Sequence, residues 1–222
     1  MRRVIVVTPH PDDETLGCGG TIFKHLSQED EVYWLILTKM DEFSFFVDRI
    51  LKREKEIQEV EQLYGFTKTF KLPYAAASLD TVPSSNLVTE IGSVFKEVQP
   101  HIVYVPYRSD IHSDHKAVYD ATMSCTKWFR YPSIEKVLAY ETLSETDFVM
   151  NVDANNFRPN VFINISDFLE KKINVMKVYE SELCPHPFPR SEEAIRALAT
   201  LRGAATGVQA AEAFMLIKER IL

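Results

Sequence analysis

Apolar residues recur along the chain in two rhythms. Short runs such as Val4-Ile5-Val6-Val7, Val32 to Leu37, Ile102 to Val105 and Val137 to Tyr140 are apolar at nearly every position. That is the pattern of parallel strands covered on both faces. Between them the apolar residues fall at helical spacing. Ile22, Phe23 and Leu26 predict a helix over Gly17 to Gln28. Ile50, Ile57, Val60, Leu63 and Tyr64 mark one face of a second, from Asp48 to Tyr64, with Gly65 as its stop. A shorter strand, Thr67 to Leu72, precedes a loop from Pro73 to Ser85 and a helix that runs to Val98.

The second half reads less regularly. Residues 107 to 115 form a polar loop, followed by a helix over Lys116 to Trp128. Val161-Phe162-Ile163 is a sixth strand, and Ser166 is expected to cap a helix reaching Glu182. Cys184-Pro185-His186-Pro187-Phe188-Pro189 cannot be regular. Two further stretches, Ser191 to Leu201 and Val208 to Glu219, read as helical. Strands alternating with helices predict an α/β fold of Rossmann-like, three-layer α/β/α type, with a mostly parallel, doubly wound sheet.

The length of 222 residues fits a single domain spanning 1–222, able to bury its own core. The net charge of -7 argues against nucleic acid or an anionic membrane as partner. No apolar run approaches the roughly 20 residues that span a bilayer. Arg2-Arg3 and four apolar residues are too few for a secretory signal. Cys18, Cys125 and Cys184 are odd in number and form no CxxC pair, so a reducing, cytoplasmic setting is expected. The sequence leaves homo-oligomerisation open.

Two loops carry candidate chemistry. His10-Pro11-Asp12-Asp13-Glu14 follows the first strand, and Ser109-Asp110-Ile111-His112-Ser113-Asp114-His115 follows the fourth. In open α/β sheets ligands bind at the carboxyl ends of the strands, so both loops fall on the same edge. Two His and one carboxylate make a common catalytic metal set with open positions. A metal in such a set lowers the pKa of its water from about 15.7 to roughly 7, and a neighbouring carboxylate accepts the proton. Adjacent Asp12 and Asp13 suit that division, although spacing does not say which does which. His112 and His115 are three apart, so one can ligate while the other faces substrate. Asp114 is placed to hold an imidazole in its charged form, which would stabilise an oxyanion.

Pro9-His10-Pro11-Asp12-Asp13-Glu14, followed by Leu16-Gly17-Cys18-Gly19-Gly20, resembles the PIG-L / LmbE-like deacetylase family. Asp110 to His115 is similar to the family's second motif, His-x-Asp-His. Arg53-Glu54-Lys55-Glu56, Lys172 to Ser181 and Ala211 to Phe214 add weaker likeness. The resemblance implies a zinc-dependent hydrolase, one Zn2+ per chain, that removes the acetyl group from an N-acetylglucosamine-type sugar. It implies His10, Asp13 and His115 as metal ligands and Asp12 as general base. His112 would be the electrostatic partner, Asp114 would tune it, and Arg53 would contact the sugar. The chain departs from some members in having Asp110 where they carry a Tyr.

Three readings compete. The first is the de-N-acetylase, giving acetate and an amino sugar. The second is an Fe(II) oxygenase, since two His and a carboxylate also form the facial triad, with Fe2+ as the alternative metal. The third is a sugar-binding module without catalysis. Among other residues, Asp80 and Glu141 follow predicted strands and are candidates for sugar hydroxyls, with Asp80 the preferred one. His186 sits in the Pro-rich segment, and His25 and His101 are expected at the surface or its boundary.

Overall fold

The computed structural model describes residues 1–42, 45–149 and 156–221. Strands β1 (Arg3–Thr8), β2 (Glu31–Lys39), β3 (Lys68–Ala75), β4 (Ile102–Pro106) and β5 (Lys136–Tyr140) pair in parallel. Strands β6 (Val161–Asn164) and β7 (Ala211–Glu219) complete a seven-stranded sheet of order β3-β2-β1-β4-β5-β7-β6. Residues alternate between its faces, so adjacent side chains enter different cores. Val4, Val6, Trp34 and Ile36 pack with helices α1 (Asp13–Ser27), α2 (Val47–Tyr64) and α5 (Leu169–Met176). Ile5, Val7, Leu35 and Leu37 pack with α3 (Ser84–Val98) and α4 (Ser113–Ser124). The expected doubly wound, mostly parallel sheet is therefore present.

The chain leaves β1 toward β2 on one side and reaches β4 on the other. The strand order thus reverses between β1 and β4, which is where such sheets open a crevice. Both chemistry-bearing loops leave the sheet at that point.

Several elements differ from expectation. The largest correction is β7, which the sequence pattern reads as a helix. Ala211 to Phe214 are buried, and the segment pairs antiparallel with β5 and β6. The open edge of buried β5 decides the matter, because its backbone groups need partners that only a strand supplies. Lys136 and Glu219, opposite one another in this register, form an ion pair at 2.6 Å. Helix α1 begins at Asp13 instead of Gly17, and α4 begins at Ser113 and ends at Ser124. Strand β3 continues through Pro73, which is tolerated because β3 is an edge strand. Helix α5 stops at Met176, and Ser166 does not cap it. The Ser166 N–H and hydroxyl both donate to Asn164 Oδ1, at 2.9 and 2.6 Å, making a side-chain turn before the helix. Helix α6 (Glu192–Ala204) is capped by Ser191, whose Oγ accepts the Ala194 N–H at 3.1 Å.

Candidate metal and catalytic site

The loop after β1 is fixed from several sides. The Thr38 hydroxyl donates to the Pro9 carbonyl at 2.7 Å, and Arg53 Nη1 to the Pro11 carbonyl at 2.9 Å. Asp12 then takes a left-handed backbone, φ 125° and ψ -30°. Its carbonyl accepts the Thr15 and Leu16 N–H groups and so opens α1. Its own N–H donates to Glu14 Oε2 at 3.0 Å. Glu14 is wholly buried and also accepts the hydroxyls of Thr15 and Tyr179, at 2.6 and 2.8 Å. Burial pushes its carboxyl up, to about 7. Glu14 thus braces the turn that orients Asp12.

The two loops bring His10, Asp13 and His115 together, with one potential ligand atom from each within 4.8 Å of the others. His10 Nδ1 lies 3.6 Å, and His115 Nε2 3.5 Å, from Asp13 Oδ2. The opposite nitrogen of each ring has its own carboxylate. His10 Nε2 meets Asp114 Oδ2 at 2.9 Å, and His115 Nδ1 meets Asp110 Oδ2 at 2.7 Å. Carboxylate–imidazole pairs of this kind fix the tautomer and aim of metal-binding His. Burial alone would push both imidazoles down. The neighbouring carboxylates override it and raise His10 to about 9 and His115 to about 10. Burial pushes Asp13 up, but the His115 and His10 imidazoles hold its carboxyl well below the usual range. A dication at this point would take the place of those protons. The donor set is therefore fit for a divalent metal of borderline softness.

His10, His112 and Asp114 form a second such group. Asp114 is already engaged there. Besides His10 it accepts the N–H groups of Ala77 and Leu79, at 2.7 and 2.9 Å. The first group leaves those bonds intact.

His112 caps α4. Its Nδ1 accepts the Asp114 N–H at 3.1 Å, which leaves Nε2 as its proton-bearing nitrogen. Burial, then the charges on His10 and His115, push its pKa down to about 4. The carboxylate of Asp114 bonds His10, and its charge also pulls the His112 pKa up, against the stronger effects of burial, His10 and His115. Asp12 lies beside Arg190, whose Nη1 donates to Oδ2 at 2.8 Å. Burial raises the Asp12 carboxyl to about 8 against the pull of Arg190.

A cleft of about 430 Å³ opens at this edge, lined at its polar end by His10, Asp12, His112, Arg190, Glu145 and Glu182. Arg53 also lines it, but its donors are taken by the Pro11 carbonyl, Ser181 Oγ, Glu182 and Glu56. Asp80 is exposed on a 3-10 turn and is not among the lining residues. Glu141 is bound by Arg202 of α6, at 2.8 and 2.5 Å, and His186 is exposed. Sequence reasoning missed Arg190, Glu145, Glu182 and the role of Asp110. Asp110 carried a signal, sitting five residues before His115 in the same loop. The other three come from irregular connections and are joined only by the fold: Arg190 Nη1 reaches Glu182 at 3.1 Å and Nη2 reaches Glu145 at 3.0 Å.

Comparison with known proteins places this geometry. Diacetylchitobiose deacetylase of Thermococcus kodakarensis is 23% identical over 98% of this chain and 84% of its own. A probable N-acetyl-alpha-D-glucosaminyl L-malate deacetylase 2 of Bacillus anthracis is 24% identical over 82% of this chain and 81% of its own. The structure of N,N'-diacetylchitobiose deacetylase from Pyrococcus horikoshii superposes with a TM-score of 0.78 over 98% of this chain and 84% of that one, at 23% identity, which establishes the shared fold. By class, then, the chain is an enzyme of the amide-hydrolysing deacetylases. Residues 5–126 match the family model PIG-L, described as GlcNAc-PI de-N-acetylase, and the chain belongs to that family.

Proposed function

We propose that this protein is a zinc-dependent de-N-acetylase. It hydrolyses the N-acetyl amide of an N-acetylglucosamine-type sugar or glycoconjugate to the amino sugar and acetate. The observation that carries the reading is the paired orientation of His10 and His115, each with one nitrogen at Asp13 and the other held by its own carboxylate. The names of the relatives supply the substrate class. Three unpaired cysteines suit a cytoplasmic setting.

His10, Asp13 and His115 would hold the metal, which supplies Lewis acidity and an acidified water when bound. Asp12 accepts the proton of the attacking water and returns it to the departing amine nitrogen. Its raised pKa suits a group that must take and release a proton near neutrality. Arg190 holds the Asp12 carboxylate in place. His112, with Nδ1 occupied by the Asp114 N–H, has Nε2–H as its donor. It therefore serves the developing oxyanion as a neutral hydrogen-bond donor, where the sequence alone suggested a cation.

The test measures acetate release over a panel of N-acetylglucosaminyl compounds, together with zinc content. Asp12→Asn is expected to keep zinc and lose about 10²- to 10⁴-fold in kcat, the usual worth of a general base. Asp13→Ala is expected to lose zinc. Equal zinc and equal activity in the two variants would overturn the assignment.

A further inference from the structure

A second hollow, of about 420 Å³, opens where the strands begin, at the end of the sheet opposite the catalytic edge. Three segments line it. Arg3 opens β1, Gln99 and His101 lie between α3 and β4, and residues 130–135 connect α4 to β5. In a chain of net charge -7, two guanidinium groups at one hollow are a local exception. Arg3 Nε donates to the Gln99 carbonyl at 2.8 Å, and Arg130 lies over the Phe129 ring, 5.7 Å from its centroid. Neither guanidinium enters an ion pair among the described residues. The carboxylate of Glu135 also lines the hollow, and it too forms no ion pair among them.

His101 gives the sharper signal. Its Nδ1 accepts the Arg3 N–H at 2.9 Å, and its Nε2 lies 3.3 Å from Arg3 Nη2. A neutral imidazole has one accepting nitrogen and one N–H. With Nδ1 accepting, Nε2 carries the proton and faces a guanidinium donor. A charged ring would donate from both nitrogens and lose the Arg3 N–H as well. Burial, then the charge on Arg3, lower the His101 pKa, with Arg2 lowering it further and Glu135 and Asp30 pulling it up, so the ring is neutral at pH 7. Two N–H donors therefore meet at one wall, and among the described residues neither has an acceptor. An oxyanion that accepts from both resolves the mismatch, whereas a cation or an apolar group does not.

We propose that this hollow is a binding site for a small phosphate ester, separate from the catalytic cleft. Guanidinium groups pair with phosphate through parallel, charge-assisted hydrogen bonds. Two of them, with the His101 Nε2–H and the Ser133 hydroxyl, offer more donors than the two oxygens of a carboxylate can use. Tyr131 and Pro132 give the hollow an apolar side for the esterified body. Its volume falls in the range of about 300–1,000 Å³ that small-molecule sites occupy. The proposal does not depend on the deacetylase reading.

Heteronuclear NMR of the whole chain follows a titration with glucose 6-phosphate, with ionic strength held constant by sodium chloride. Saturable shifts are expected at the amides of Arg3, His101 and Ser133. Arg130→Gln is expected to weaken binding about 10-fold or more, the worth of one charge-assisted pair. The side chain is exposed and touches only the Phe129 ring among the described residues, so the variant is expected to fold. Glu135→Gln is expected to tighten binding about threefold, because it removes the carboxylate that repels the ligand. A variant that merely loosens the fold weakens binding and does not tighten it. Shifts confined to the catalytic cleft overturn the proposal, as does one affinity shared by the native chain and both variants. Equal shifts with glucose, which has no phosphate, overturn it too. Retention on phosphatidylglycerol vesicles without any response to glucose 6-phosphate overturns it by making the hollow a headgroup contact.

Discussion

Asp12 is the residue on which the site turns, and its backbone is in a conformation that L side chains seldom adopt. Such a conformation costs about 1–3 kcal/mol and persists only where the surroundings dictate it. Here they do: Glu14 takes its N–H, α1 takes its carbonyl and Arg190 takes its carboxylate. The same logic applies at His115, whose aim depends on Asp110. Asp110→Asn is expected to weaken metal binding about 10- to 100-fold, with the fold retained. Competition with a chelator measures the first and a thermal melt the second. Unchanged affinity would show that His115 is aimed without Asp110. The His10, Asp13 and His115 cluster was legible in the sequence because each half of it is local, with His10 and Asp13 three apart and Asp110 to His115 in one loop. Arg190 was not legible, because nothing near it in the chain announces a partner 178 residues away. Glu14 reads in sequence as a helix-start acid, and only its burial under Tyr179 reveals the brace.

At the scale of elements, α1 must come close to the sheet to present Asp12 and Asp13 at its first turn. Gly17 makes this possible, since a Cβ there would sit 2.3 Å from Tyr140 Cδ2. Tyr140 cannot move aside: it is fully buried and its hydroxyl donates to the Val7 carbonyl at 3.0 Å. Gly17→Ala is therefore expected to destabilise the protein by about 1–3 kcal/mol, the usual cost of overpacking. Urea unfolding measures this, and an unchanged midpoint would show that α1 is free to shift. The parallel strands were legible from their apolar runs, because burial on both faces leaves few alternatives. Strand β7 was not, since Ala211 to Ile217 satisfies either period and the deciding fact is the open edge of β5. Pairing partners are a tertiary property, and local pattern does not contain them.

The whole molecule is polarised between the two ends of its strands. One end carries the site; the other carries a separate titrating cluster. There His25 of α1 meets Asp30 through Nδ1 and the Tyr104 hydroxyl of β4 through Nε2, both at 2.9 Å. His25 was expected at the surface or its boundary, and it lies at the boundary, with 13% of its side chain exposed. Burial lowers its pKa against the pull of Asp30, with Arg2 and Lys24 lowering it further. The unfolded chain then binds a proton near pH 6.5 that the folded chain refuses, so this stabilisation is present above that pH and lost as pH falls. The stability gap between the native protein and His25→Gln is expected to shrink from pH 8 to pH 5, read by urea unfolding. A gap independent of pH would show that His25 does not titrate in that window. The cluster lies at the other end from the catalytic cleft, so its effect on stability is separable from any effect on turnover. Asp114 has a consequence of a different kind. It grips the segment between β3 and α3 through the main-chain N–H groups of Ala77 and Leu79, and asks nothing of their side chains. An anchor of this sort is blind to the letters it holds. Ala76, which lines the cleft, can be rewritten by mutation while the loop stays moored to the site, whereas Ala77, at φ 56°, is confined to residues that accept a left-handed backbone.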